Sequence, residues 1–191
     1  MSTGGEPPSA RFPASVTPAA RALRLLALDV DGVLTDGRLR YGPDGETVKV
    51  FDVKDGLGIK LLQEEGIEVA VISARRAPAL ERRLSDLGVR HAHVGRGDKI
   101  RALGELQQTL GIAPEAMAFM GDDVLDLPVL RAVGLAIAPA DAHFLVRDEA
   151  DWVTDAPGGR GAVREVADGL LAARGRLSAI VEEHLAARAK R

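Results

Sequence analysis

No cysteine occurs among the 191 residues, which excludes disulfides, thiolate nucleophiles and sulfur-ligated metal. Aromatic residues make up only 3% of the chain, too few to line a large hydrophobic pocket, and a small polar ligand is expected instead. Excess positive charge is missing too. A net charge of -3 leaves no basic field for nucleic acid, whose affinity rests on clustered Lys and Arg neutralising phosphates. Nowhere do roughly 18 consecutive apolar residues occur, the length a membrane-spanning helix needs. The N-terminal stretch has neither the basic start nor the apolar run of a secretory signal. These absences predict a cytoplasmic chain without a membrane or nucleic-acid partner.

What is present is the material of one globular domain, with 46% hydrophobic residues. Residues 1–21, rich in Gly, Pro, Ser and Ala, read as a disordered tail. The domain is expected over 22–176, and a C-terminal helical tail over 177–191, beyond a break near Gly175.

From Leu23 onward short apolar runs alternate with longer segments of helical period: LRLLALDV, GLGIKLLQEEG, VAVIS, APALERRLSDLG, KIRALGELQQTLG, MAFMG, LDLPVLRAVG and LAIA. Repeated βαβ units around a parallel sheet produce this alternation, and the apolar runs are continuous because both sheet faces are covered. The fold class is therefore α/β, a Rossmann-like doubly wound parallel sheet. Gly66, Gly88, Gly111 and Gly134 fall where helical patterns stop, as left-handed helix termini do. Gly37 to Val53 breaks the pattern. Its alternating segments on either side of PDG read as a β-hairpin inserted after the first strand and standing above its end.

In open parallel sheets ligands bind beyond the carboxyl ends of the strands. Three endings carry chemistry. Asp29 and Asp31, in DVDGVLTDG after LRLLAL, can turn both carboxylates to one site, with Gly32 permitting a sharp exit. A hard cation would relieve their repulsion. A carboxylate can attack phosphorus while a neighbouring acid protonates the leaving oxygen and later activates water; an isolated DxDG is equally a capped turn. Ser73, after VAVI, can hold a phosphoryl oxygen or cap a helix. Asp122, Asp123 and Asp126, in GDDVLD after MAFM, can complete a metal site or cap the next helix. Lys99 can neutralise a phosphoryl group or stand as solvated surface. His91, His93, His143 and His184 fit no metal spacing and read as structural or surface residues.

The order DxD, Ser, Lys, GDDxxD, with each acidic motif ending a predicted strand, resembles the haloacid dehalogenase superfamily of phosphotransferases. The resemblance covers Leu23 to about Arg176. It implies Asp29 as nucleophile, Asp31 as acid/base, and Ser73 and Lys99 as phosphoryl holders. Mg2+ is implied on the Asp29 carboxylate, the Asp31 backbone carbonyl and the Asp122 carboxylate. Neither gap where such proteins carry a cap domain is long enough for one, which implies a capless form whose walls come from a neighbouring subunit.

FDVKDGLGIKLL, the ISAR segment, VGLAIAPADAH and GGRGAVREV are similar to the 3-deoxy-D-manno-octulosonate 8-phosphate (KDO 8-phosphate) phosphatases. That similarity implies a homotetramer acting on a sugar-acid phosphate in lipopolysaccharide precursor synthesis. It implies substrate contacts at Asp31, Lys54, Asp55 and Gly56, at the cations Lys60, Arg75, Arg83 and Lys99, and at Arg160, whose loop is otherwise a flexible lead into a helix. Arg suits a carboxylate because it can grip it with two parallel bonds. Lys60 stands where the family often has Arg, and Ser73-Ala74 where Thr-Gly is common. Two other readings are a phosphatase for a nine-carbon sialic-type acid and a silent oligomerisation domain.

Overall fold

The computed structural model describes residues 13–43 and 45–189. The apolar runs form strands β1 (Leu25–Leu28), β4 (Glu68–Ser73), β6 (Met117–Met120) and β7 (Leu135–Ala138); β5 (His91–Val94) and β8 (Trp152–Val153) are strands that no apolar run announced, and β2 (Arg40–Gly42) and β3 (Gly45–Val48) make the hairpin. Six of them build a parallel sheet in the order β5-β4-β1-β6-β7-β8.

Side chains alternate between the faces of a strand, and two cores result. Leu26 and Leu28 of β1 join Val69, Val71 and Met120 on one face, while Leu25 and Ala27 join Ala70, Ile72 and Phe119 on the other. The first face is covered by α1 (Thr17–Ala22), α2 (Val53–Glu64), α3 (Pro78–Leu87), α7 (Ala162–Ala173) and α8 (Leu177–Ala189). The second is covered by α4 (Lys99–Leu110), α5 (Leu127–Leu130) and α6 (Phe144–Glu149). Burial on both faces is why β1, β4, β6 and β7 read as unbroken apolar runs.

After β5 the chain crosses to the far side of β1 and continues outward through β6, β7 and β8. Strand order thus reverses around β1, and the crevice of such a sheet opens at its carboxyl end. Leu28 stands level with Val71 and Met120, so Asp29, Ser73 and Gly121 emerge together at that edge.

Several expectations change. The 3-10 turn Ala14–Val16 and α1 are ordered, with Val16 and Ala20 buried, so the packed chain includes residues 13–21; the expected tail over 1–12 lies outside the described residues. The hairpin strands occupy only 40–48, and Val53 already begins α2. Gly66, Gly88 and Gly111 do adopt φ of +81°, +70° and +61°. Gly134 does not; it is there because a Cβ would stand 2.3 Å from the Glu115 carbonyl oxygen.

Between β1 and α2 lies only the hairpin, and between β4 and β5 only α3. No described helix is long and apolar enough to cross a membrane.

Candidate active site

Asp29 is the first residue beyond β1, and its backbone N–H donates to the Met120 carbonyl at 3.0 Å, continuing the ladder to β6. Its carboxylate is buried and meets the Lys99 ammonium at 2.8 Å. Lys99 opens α4 and is only 7% exposed, so it is no surface lysine. It also contacts Asp126 at 2.6 Å. Burial opposes the charge of Lys99, but Asp29 and Asp126 together hold its proton more tightly than an ordinary lysine does.

Asp126 has no oxygen to spare. One oxygen takes Lys99, and the other accepts the N–H groups of Asp122 at 3.0 Å and Asp123 at 3.3 Å. One carboxyl oxygen from each of Asp29, Asp122 and Asp126 lies within 4.8 Å of the others. Because Asp126 is committed to Lys99 and the loop, Asp29 and Asp122 are the pair left to face a cation. Asp122 has one oxygen, Oδ1, that is buried and without a hydrogen-bond partner. Hard oxygen donors of this kind suit magnesium. Gly32 makes the approach of Asp122 possible: its φ is +91°, and a Cβ there would stand 2.0 Å from Asp122 Oδ2.

Burial pushes the Asp29 carboxyl up to about 6 against the lowering pull of Lys99. Burial, reinforced by Asp29, pushes Asp122 up to about 7. Both folded-state values lie above the ordinary 3.8, so the metal-free fold holds protons that the unfolded chain releases. Its stability should fall as pH rises from about 4 to about 7. A bound cation removes that penalty. Thermal melts with and without MgCl2 should show a gain of several degrees at pH 8 and little at pH 5; an equal gain at both would contradict this electrostatic account.

Asp31 stands in a second charged group. Its Oδ1 receives Lys49, which also contacts Glu46 at 2.8 Å; Arg75 lies 3.7 Å from Asp31 Oδ2. Arg75 is further held by Glu46 at 3.1 Å and the Tyr41 hydroxyl at 3.0 Å, which places this expected substrate cation beside Asp31 and the hairpin. Ser73 is buried at the end of β4. Its Oγ accepts the Arg75 N–H at 3.2 Å, leaving the hydroxyl proton available to donate.

The positions expected around the substrate separate. Lys54, Asp55 and Gly56 lie in the first turn of α2, with Asp52 accepting the Lys54 N–H at 2.7 Å. Asp55 is 1% exposed, and its oxygens accept the Gly161 and Arg164 N–H groups at 3.3 and 2.8 Å. It caps the start of α7 and has no side-chain surface for substrate. Gly56 lets Arg83 approach, since a Cβ would lie 2.2 Å from Arg83 Nη2. Lys54, Lys60 and Arg83 line a cleft of about 630 Å³ with Glu64, Asp86 and His184, and neither Asp29 nor Asp122 lines it. Arg160 is exposed, with its guanidinium 3.9 Å from Asp36.

Lys49 and Glu46 were not singled out in the sequence. The available signal was the hairpin itself, whose charges had to face whatever stood at the end of β1.

A family model for haloacid dehalogenase-like hydrolases matches residues 95–165. Over 164 residues the chain is 49% identical to the KDO 8-phosphate phosphatase of Escherichia coli, covering 86% of this chain and 87% of that protein. The crystal structure of KDO 8-phosphate phosphatase from Moraxella catarrhalis, in complex with magnesium, phosphate and KDO, is similar with a TM-score of 0.86 at 36% identity. It matches 89% of this chain and 98% of that one. A cobalt-bound phosphatase from Haemophilus influenzae gives a TM-score of 0.82 at 43% identity, over 84% of this chain and 94% of that one.

Proposed function

As this chain belongs to the haloacid dehalogenase-like hydrolases, within their KDO 8-phosphate phosphatase family, we propose that it hydrolyses KDO 8-phosphate to the free sugar acid and inorganic phosphate. The observation that carries this reading is the placement of Asp29 at the carboxyl end of the central strand, fixed by Lys99 and facing the unpartnered oxygen of Asp122.

Asp29 attacks phosphorus as the bond to the sugar oxygen breaks, and Asp31 delivers a proton to that leaving oxygen. The product of this half is an aspartyl phosphate on Asp29. Asp31 then takes a proton from the water that attacks phosphorus, which frees Asp29 and phosphate. Ser73 donates its hydroxyl proton to a phosphoryl oxygen, and Lys99 offsets the growing negative charge. Mg2+ would be held by the carboxylates of Asp29 and Asp122 and the backbone carbonyl of Asp31; it supplies the positive charge that lets two anions approach.

We assign this capless domain to a homotetramer. The cation-bearing cleft of Lys54, Lys60 and Arg83 has no catalytic carboxylate of its own, and a site in a neighbouring subunit would give it one. Arg160 extends from the loop packed against Gly32 and Thr35 and can serve either site. Lysine at position 60 grips a carboxylate through one point charge where arginine would use two bonds. A phosphorylated sugar acid is too highly charged to cross a membrane unaided, so an enzyme acting in the compartment where the ester is made, the cytoplasm, within lipopolysaccharide precursor synthesis, fits this reading.

Phosphate release from KDO 8-phosphate and from a nine-carbon sugar-acid 9-phosphate, each with and without chelator, tests the reading. Turnover should favour the eight-carbon ester and vanish with chelator. Preference for the nine-carbon ester would move the assignment to that substrate, and chelator-resistant turnover would remove the metal from it. The Gly32→Ala variant should lose affinity for Mg2+ by about tenfold or more, because Asp122 must move aside for the methyl group; calorimetric titration measures it.

A further inference from the structure

The hairpin does more than wall the crevice. Asp31, Lys49, Glu46 and Arg75 form a closed ring of alternating charge. Asp31 Oδ1 meets Lys49, Lys49 meets Glu46 at 2.8 Å, Glu46 meets Arg75 at 3.1 Å, and Arg75 returns to Asp31 Oδ2 at 3.7 Å. Each oxygen of Asp31 therefore faces a different cation. The two cations differ in freedom. The Arg75 side chain is 39% exposed and can turn toward solvent, whereas that of Lys49 is 3% exposed. An ammonium enclosed by protein would be left uncompensated if its carboxylates turned away, so Lys49 is the more fixed member.

Resting on the reading of Asp31 as the acid and base, we infer that Lys49, immediately after β3, is a positioning residue. It holds the Asp31 carboxyl at the angle needed to protonate the leaving oxygen, with Glu46 anchoring it from the hairpin. The role is one of orientation, and it links the hairpin strand that supplies Glu46 directly to the proton-transfer step.

Leaving-group dependence tests this. The first chemical half sets kcat/KM, and only a poor leaving group needs the proton during that half. The substrates are KDO 8-phosphate, glycerol 3-phosphate as an alkyl ester without a carboxylate, and p-nitrophenyl phosphate as an aryl ester whose leaving anion needs no proton. Lys49→Met should lower kcat/KM on both alkyl esters by about 10–100-fold, and on the aryl ester by at least about tenfold less. Lys49→Arg should recover part of the alkyl loss. All three esters are read on one preparation, so a misfolded fraction cancels from the ratios.

Equal loss on all three esters would mean that Lys49 only supports the hairpin, and would overturn the inference. Loss confined to KDO 8-phosphate would make Lys49 a substrate contact, with the same consequence. Asp31→Asn separates the levels: if it discriminates between alkyl and aryl esters and Lys49→Met does not, the inference alone fails. If Asp31→Asn does not discriminate, the acid/base assignment fails and takes the inference with it.

Discussion

Asp29→Asn is expected to lower phosphate release by at least about a thousandfold while leaving the protein folded and, without metal at pH 8, more stable than the parent. An amide has nearly the shape of a carboxylate but is no nucleophile toward phosphorus. The rise in stability follows from the charge count in the site. Asp29, Asp122 and Asp126 place three carboxylates around one ammonium, and burial already drives the Asp29 carboxyl up to about 6. A neutral amide removes one buried negative charge, and Lys99 keeps Asp126 as its partner at 2.6 Å. Phosphate release and a thermal melt check both halves. Turnover within tenfold of the parent would remove Asp29 from the reaction, and a fall in melting temperature would mean that the Lys99 contact outweighs the repulsion.

Lys99→Met should act with the opposite sign on stability. It leaves Asp29 and Asp126 buried without their shared cation, and breaking a buried pair from one side costs about 3–5 kcal/mol. Activity should vanish too, because nothing then offsets the charge that builds on the phosphoryl oxygens. Adding Asp126→Asn to Lys99→Met should return part of the stability and none of the turnover, since the repulsion falls while the missing cation stays missing. Denaturant unfolding of the single and double variants measures this. Unchanged stability in Lys99→Met would contradict the buried charge pair, and restored turnover in the double variant would contradict the role of Lys99.

The parts of the molecule written in local pattern were legible in the sequence. Continuous apolar runs marked the four central strands, and their polar endings marked Asp29, Ser73 and Gly121, because a parallel sheet buries its strands and opens at their carboxyl ends. Pairings between distant segments were not legible. Lys99 and Asp126 are 27 residues apart, and Lys49 and Asp31 are 18 apart; no periodicity relates them. Asp126 resembled an ordinary cap, and it does hold the Asp122 and Asp123 amides, but its other oxygen carries the site's lysine. Asp55 misled in the opposite direction. The family resemblance implied a substrate contact there, yet its carboxylate is spent on the first turn of α7. Elements too short to show a period, such as α1 with 6 residues and β8 with 2, depend on tertiary contacts, α1 on packing and β8 on its pairing with β7.

A covalent bond between the substrate's phosphorus and Asp29 is the center of this account, and chemical trapping reads it directly. With substrate labelled at phosphorus, acid quenching during turnover should leave label on the protein, released by hydroxylamine as acyl phosphates are. Borohydride treatment followed by peptide mapping should then find the reduced residue at position 29. A reduced residue at any other position, or sustained turnover with no trapped label, would contradict it.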